Sequence, residues 1–268
     1  MAHPQDVMAG LTAEGDELLR LLAGLDEPSW VLPTPAPGWT IAHQVAHLAA
    51  TFKLAGLAAA DAGAFGKLAS TLSPDFDENV RVAMGPYLYL PSDRLLAAFR
   101  AELTEATEAL AAVPEGSVVP WLVNPLPPAV LAAAGMMELF GHGHDIRDTL
   151  RIARPRTDRI APLVAFAVRT RDFGYQARGL QAPAEEFRFE LTAPSGALWT
   201  FGPQDAEQRI TGDAYDFCLL VTRRRHPDDL RLQATGLVAR HWLGIAQAYR
   251  GPAGDGRRPG QFREAAAA

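Results

Sequence analysis

Ile41-Ala-His-Gln-Val-Ala-His-Leu-Ala-Ala-Thr-Phe-Lys-Leu-Ala-Gly-Leu57 is the stretch whose pattern decides the fold. Ile41, Val45, Leu48 and Phe52 recur at spacings of three and four, and His43, His47, Ala50, Leu54 and Leu57 form a second stripe of the same kind. That period belongs to an α-helix, and a helix apolar on two faces has to be buried against neighbours on both. Thr40 is placed to cap its start. Before it, Pro33-Thr-Pro-Ala-Pro-Gly-Trp39 interrupts the helical pattern, because proline removes backbone donors and biases the preceding residue away from helix.

The neighbours such a helix needs are found on either side. Val7, Leu11, Leu18, Leu22 and Leu25 predict an amphipathic helix over 5–25. Ser92 caps a helix over 93–112 with Leu95, Leu96, Phe99, Leu103, Ala106 and Leu110 on its core side, and a further helix is expected over 129–152. Between 61 and 91, Gly63, Gly66, Pro74, Gly85, Pro86 and Pro91 interrupt short apolar pieces, which reads as a long loop with helical fragments, suited to a lid. Four helices with a long middle connection describe a four-helix bundle over 1–154. The texture then changes. After a helix over 158–178, Phe187-Arg-Phe-Glu-Leu-Thr192 alternates as a half-buried strand, Ser195-Gly196 is a turn and Leu198-Trp-Thr-Phe201 a second strand. Helices over 213–224 and 236–249 flank a short segment, Leu230 to Gln233. The expectation is an α+β protein: a bundle, an α+β domain over 155–250, and a disordered tail over 251–268.

Of the 268 residues, 48% are hydrophobic and 21% charged, the balance of an ordinary globular chain. A net charge of −6 lacks the basic footprint that neutralises phosphates, so no nucleic-acid partner is expected. The first residues show no cationic and apolar leader, and no apolar run reaches the length of a span. The expectation is a soluble, cytoplasmic protein with no membrane partner. The one cysteine, Cys218, lies between Phe217 and Leu219-Leu220 and reads as a packing thiol, so a metal would have to rest on histidines and carboxylates.

Those residues cluster. Four of the seven histidines fall in the stretch around His43 and His47 and in Met137-Glu138-Leu-Phe-Gly-His142-Gly-His144-Asp145. Glu138, His142 and Asp145 are spaced to share one face of the fourth helix, and a polar stripe inside a bundle has to be satisfied. Glu138 and His142, with His47 from a facing helix, would give a divalent metal three protein ligands and leave a position for water or substrate, the pattern of catalytic rather than structural sites. The same spacing also arises on solvated helix faces, and a single core histidine is commonly just hydrogen-bonded. His43, one turn before His47, is a candidate fourth ligand, a partner that hydrogen-bonds the ligands, or a buried hydrogen-bonded histidine; Asp145 is a candidate to orient them. His144 has Asp148 one turn on and is expected to form a surface pair; Trp39 and Trp121 read as core or loop anchors.

At Gly38-Trp39-Thr40 with Val45-Ala-His47-Leu, and at Glu138-x-x-x-His142 with Asp145-Ile146, the chain resembles the mycothiol-dependent maleylpyruvate isomerase-like proteins. The resemblance implies a DinB-like four-helix bundle in which His47, Glu138 and His142 hold a divalent metal, usually zinc. It further implies a small α+β, sterol-carrier-like second domain, on Gly212-Asp-Ala-Tyr-Asp-Phe to Val221-Thr-Arg-Arg224. The family arginine that meets an anionic group corresponds to Arg224, although the glycine before it in the family is Arg223 here. The implied cosubstrate is a low-molecular-weight thiol such as mycothiol, acting with a small-molecule substrate in isomerisation or S-transfer.

Three other readings stay open at this point. The metal could act alone as a Lewis acid in a cyclase or lyase of a larger metabolite; the protein could bind a metal or an apolar ligand without chemistry; or two histidines and a carboxylate could serve a non-haem iron oxygenase.

Overall fold

The computed structural model describes residues 4–122 and 124–262. By its internal contacts the chain divides into two compact units, with the division between Ala153 and Arg154.

In the first unit, α1 spans Pro4–Ala23, a single turn α2 spans Glu27–Trp30, and α3 spans Ile41–Ala60. These are followed by α4 (Ala62–Ala69), α5 (Phe76–Leu88), α6 (Ser92–Ala112) and α7 (Pro128–Leu150). The four long helices close a ring, because α3 packs on α6 and α7, and α1 on the same two. That is the four-helix bundle expected from the periodicity. Helix α3 is buried along its first stripe, with Ile41, Val45, Leu48 and Phe52 each at most 1% exposed, whereas His43, His47, Leu54 and Leu57 of the second are only half-buried, a departure from the burial on two faces that the pattern implied. It approaches α6 closely at Gly56, where an added Cβ would lie 3.3 Å from the Ala106 Cα. Arg147 on α7 is buried and donates to Glu17 on α1 at 2.9 Å, a charged clamp between neighbouring helices.

The span 61–91 departs from the loop expected for it. Asp61 accepts from Ala64 N and starts α4; Asp75 accepts from Asp77 N and Glu78 N and starts α5. These carboxylate caps satisfy the orphan donors of a first turn and outweigh the nearby glycines. Pro86 is tolerated close to the end of α5, where little helix remains to be disrupted. Tyr87 then fastens α5 to α6 through a 2.7 Å bond to Glu102.

In the second unit a 3-10 turn over Asp158–Ile160 leads into α8 (Ala161–Arg169) and α9 (Phe173–Gln176), so the helix expected over 158–178 is broken near 170–172. Among the described residues there is one four-stranded sheet, of order β2-β1-β3-β4. Its strands are β1 (Phe187–Thr192), β2 (Leu198–Phe201), β3 (Gln208–Asp213) and β4 (Leu232–Thr235). β1 and β2 form the expected hairpin, in register Phe189 to Phe201. β3, which the sequence reading did not include, pairs parallel to β1 and antiparallel to β4. Phe187, Phe189 and Leu191 are the inward residues of β1, and the two phenylalanines meet α10 (Ala214–Val221) and α11 (Leu237–Ile245) through Phe217 and Trp242. Of the tail expected over 251–268, the described part carries contacts: Gly260 N donates to Asp229, and the Arg225 guanidinium lies 4.9 Å from the Phe262 ring centre. Residues 263–268 of that tail lie outside the described residues.

No helix among the described residues is long and apolar enough to cross a membrane.

Candidate metal centre

Two helices of the bundle bring the expected residues together. α3 is fixed at its start by Thr40, which accepts from His43 N, and presents His47 almost two turns further on. α7 presents Glu138 and His142 on one face, four residues apart. Glu138 Oε2 lies 3.2 Å from His142 Nε2 and 3.4 Å from His47 Nε2. One ligand atom from each of the three residues falls within 4.8 Å of the others. The side chains are 16%, 21% and 14% exposed for His47, Glu138 and His142, so the cluster is sheltered but still reachable from solvent.

Donor type and spacing fit a small divalent ion. Ligands held at roughly 2.0–2.2 Å around a tetrahedral ion stand about 3.3–3.6 Å apart, close to the two separations observed. Burial alone would push the Glu138 carboxyl up, but hydrogen bonds from His142 and His47 outweigh it and hold the group well below the usual carboxylate range. A carboxyl lowered in this way stabilises the fold above its unfolded value of about 4.3, and that contribution is lost as the pH falls through the folded value. Glu138→Gln in the metal-free protein is therefore expected to flatten the acid limb of stability, measured by urea denaturation at a series of pH values. An acid limb identical to that of the parent would show that the carboxylate contributes nothing there.

The surroundings were only partly foreseen. Asp145 is fully buried and lies 3.5 Å from Gln44 Nε2. Gln44, also fully buried, accepts at Oε1 from His142 Nδ1 at 2.5 Å and donates from Nε2 to Thr34 Oγ1 at 2.8 Å. His43 is turned back to the helix start, where its Nδ1 lies 2.8 Å from Thr40 Oγ1 and 3.3 Å from Thr40 N, and it is not in the three-residue cluster. Trp39 stacks on His142 with ring centres 5.9 Å apart and planes at 18°, and it also lies 5.3 Å from the His47 ring, so it walls the centre rather than anchoring a distant loop. Its loop is held by Thr34, whose N and Oγ1 both donate to Trp39 O. His144 is not on the surface: at 5% exposure its Nδ1 lies 2.7 Å from Phe140 O, because α7 is buried on nearly all sides. Arg224 belongs to the second unit, in the turn after α10, with Nη1 donating to Thr222 O. Cys218 is fully buried.

A family model described as the mycothiol maleylpyruvate isomerase N-terminal domain matches residues 11–147, more than half of the chain and all three residues of the cluster. The chain belongs to this family. A second model, described as wyosine base formation, matches residues 183–235, the segment holding all four strands. Two uncharacterized proteins from two strains of Mycobacterium tuberculosis are each 42% identical over 257 residues, covering 96% of this chain and 100% of theirs. Among solved structures, the family fold is seen in the mycothiol-dependent maleylpyruvate isomerase and in a histidine-to-alanine mutant of it. Both have a TM-score of 0.54, at 16% and 15% identity, over 82% of this chain and 88% of theirs. At that identity the likeness establishes the fold: a helical N-terminal domain followed by a mixed helix and sheet region.

Proposed function

We propose that the protein is a metal-dependent enzyme that acts on a small electrophilic substrate with a mycothiol-type thiol as cosubstrate, in an isomerisation or S-transfer. The observation that carries this reading is the convergence of His47, Glu138 and His142 from two helices. Membership of the mycothiol maleylpyruvate isomerase family supplies the thiol.

A divalent ion in this centre, zinc by family resemblance, would supply Lewis acidity, polarising a carbonyl or lowering the pKa of a thiol or water. The chain's own residues do the rest. His47 and His142 offer neutral nitrogens and Glu138 a charge that offsets part of the ion's. Trp39 covers one face of the His142 ring and keeps water from that side. Arg224 is the candidate to meet an anionic group of substrate or cosubstrate. Addition of a thiolate to a conjugated double bond, rotation and expulsion return the thiol unchanged, so isomerisation by this route consumes no oxidant or reductant.

The nucleophilic sulfur has to come from outside the chain, because Cys218 is the only cysteine and has no exposed surface. Cys218→Ser is accordingly expected to keep kcat/KM within about twofold while lowering stability by roughly 1 kcal/mol as a polar group enters an apolar site. A folded Cys218→Ser protein without activity would contradict this.

The reading is tested by following conversion of maleylpyruvate with protein loaded with zinc, with and without mycothiol. Turnover that requires both supports the proposal. Turnover that follows metal but ignores thiol would move the assignment to a Lewis-acid cyclase or lyase. Turnover unaffected by removing the metal would sink it.

A further inference from the structure

The hydrogen bonds behind His142 determine which of its nitrogens carries the proton. The orientation of the Gln44 amide is set by its neighbours. Thr34 Oγ1 spends its proton on the Trp39 carbonyl at 2.9 Å and can only accept from the Gln44 amide. Asp145 Oδ2, on the same side at 3.5 Å, is likewise an acceptor. Two acceptors on one side require the amide nitrogen there, which leaves the Gln44 carbonyl oxygen facing His142 Nδ1 at 2.5 Å. A carbonyl oxygen only accepts, so Nδ1 must carry the hydrogen. The protonated ring also carries a hydrogen on Nε2 and donates it to Glu138 Oε2, 3.2 Å away; in the neutral ring, with Nδ1–H fixed by Gln44, Nε2 carries the lone pair. A proton or a divalent cation satisfies both groups at that place, and the neutral ring leaves it to the cation.

We propose that Gln44 is a positioning residue: held in one orientation by Thr34 and Asp145, it fixes His142 as the Nδ1–H tautomer and so directs the Nε2 lone pair to the metal position. This rests on the metal reading above for its purpose, but not for its chemistry, since the tautomer is a property of the metal-free chain. The arrangement extends over four residues. The 33–40 loop supplies Thr34, α3 supplies Gln44, and α7 supplies both Asp145 and the histidine. A mis-set tautomer would turn a donor N–H toward the metal and prevent coordination through that nitrogen.

The test uses nitrogen-15 correlation spectra of the imidazole rings in the metal-free full chain at about pH 9, where histidine is neutral, with His142 assigned by its disappearance in His142→Ala. The parent is expected to show the Nδ1–H pattern. Gln44→Leu is expected to shift it toward Nε2–H. Gln44→Glu, ionised at this pH, retains an oxygen that can only accept at Nδ1; it should keep the parent pattern. Asp145→Asn, which lets the amide turn over, should give a mixture. Zinc affinity, measured by chelator competition, should fall about 10- to 100-fold in Gln44→Leu and recover most of that in Gln44→Glu, with far-ultraviolet circular dichroism unchanged. A parent His142 protonated at Nε2, or a Gln44→Leu spectrum indistinguishable from the parent, would overturn the proposal. If the parent shows the Nδ1–H tautomer but no zinc affinity, the metal reading fails and the tautomer assignment stands. Should Gln44→Leu not fold, Gln44→Glu and Asp145→Asn still decide the matter.

Discussion

His142→Ala is expected to lower zinc affinity by roughly 10²- to 10³-fold while leaving the bundle folded. Structural zinc sites with four ligands contribute on the order of 10–16 kcal/mol of binding, so one ligand accounts for about 3–4 kcal/mol, and about 1.4 kcal/mol corresponds to a tenfold change. His142 is one of three protein ligands and the one tied to Gln44, so its loss removes both a nitrogen and the ordered network behind it. The fold should survive, because Glu138 is 21% exposed and can turn to water rather than remain a buried, unpaired charge. His43→Ala is the control. Its ring serves the start of α3, so it should cost helix capping and leave zinc affinity within a few-fold. Competition with a chromophoric chelator reads both variants; equal losses would mean that the cluster does not discriminate between its histidines.

Trp242→Ala is expected to destabilise the second unit by about 3–5 kcal/mol, the range for truncating a large buried aromatic side chain. Trp242 is fully buried and sits against Phe187, Phe189 and Phe217 with ring centres 6.1, 5.7 and 6.1 Å away. Its indole N–H donates to Arg171 O at 2.9 Å, so the truncation also orphans a carbonyl. Since domains are typically stable by only about 5–15 kcal/mol, the loss should be plain in urea denaturation followed by circular dichroism. Trp242→Phe, which keeps a ring but not the donor, should lose less. A loss below about 1 kcal/mol for the alanine variant would show that the aromatic cluster is not what holds α11 to the sheet.

The bundle was legible because its signal is local. Apolar residues at three- and four-residue spacing marked α1, α3, α6 and α7, and strict alternation marked β1. β3 escaped because Gln208-Arg-Ile-Thr-Gly-Asp213 has one fully buried residue, Ile210. Its place beside β1 is set by a parallel pairing between segments far apart in sequence, which no local period reports. α4 and α5 were obscured by glycine and proline, although Asp61 and Asp75 were in cap positions. The cluster was read from helical spacing, and the structure brings its three members together. Gln44 was overlooked despite a usable signal: it lies three residues after Ile41 and four before Leu48, a polar side chain on the core side of a buried helix. A group in that position must have partners. Trp39 had no such signal, because a loop residue has no period; only the fold of 33–40 brings its ring onto His142. His144 was misplaced because its pairing with Asp148 assumed a solvated face that α7 does not have.

The most direct measurement is the metal content of the full chain after exposure to excess zinc and removal of the unbound ion, set beside that of the His47→Ala, His142→Ala double variant. The account predicts about one equivalent per chain in the parent and next to none in the variant. A parent that retains no metal, or a variant that retains as much as the parent, would contradict it.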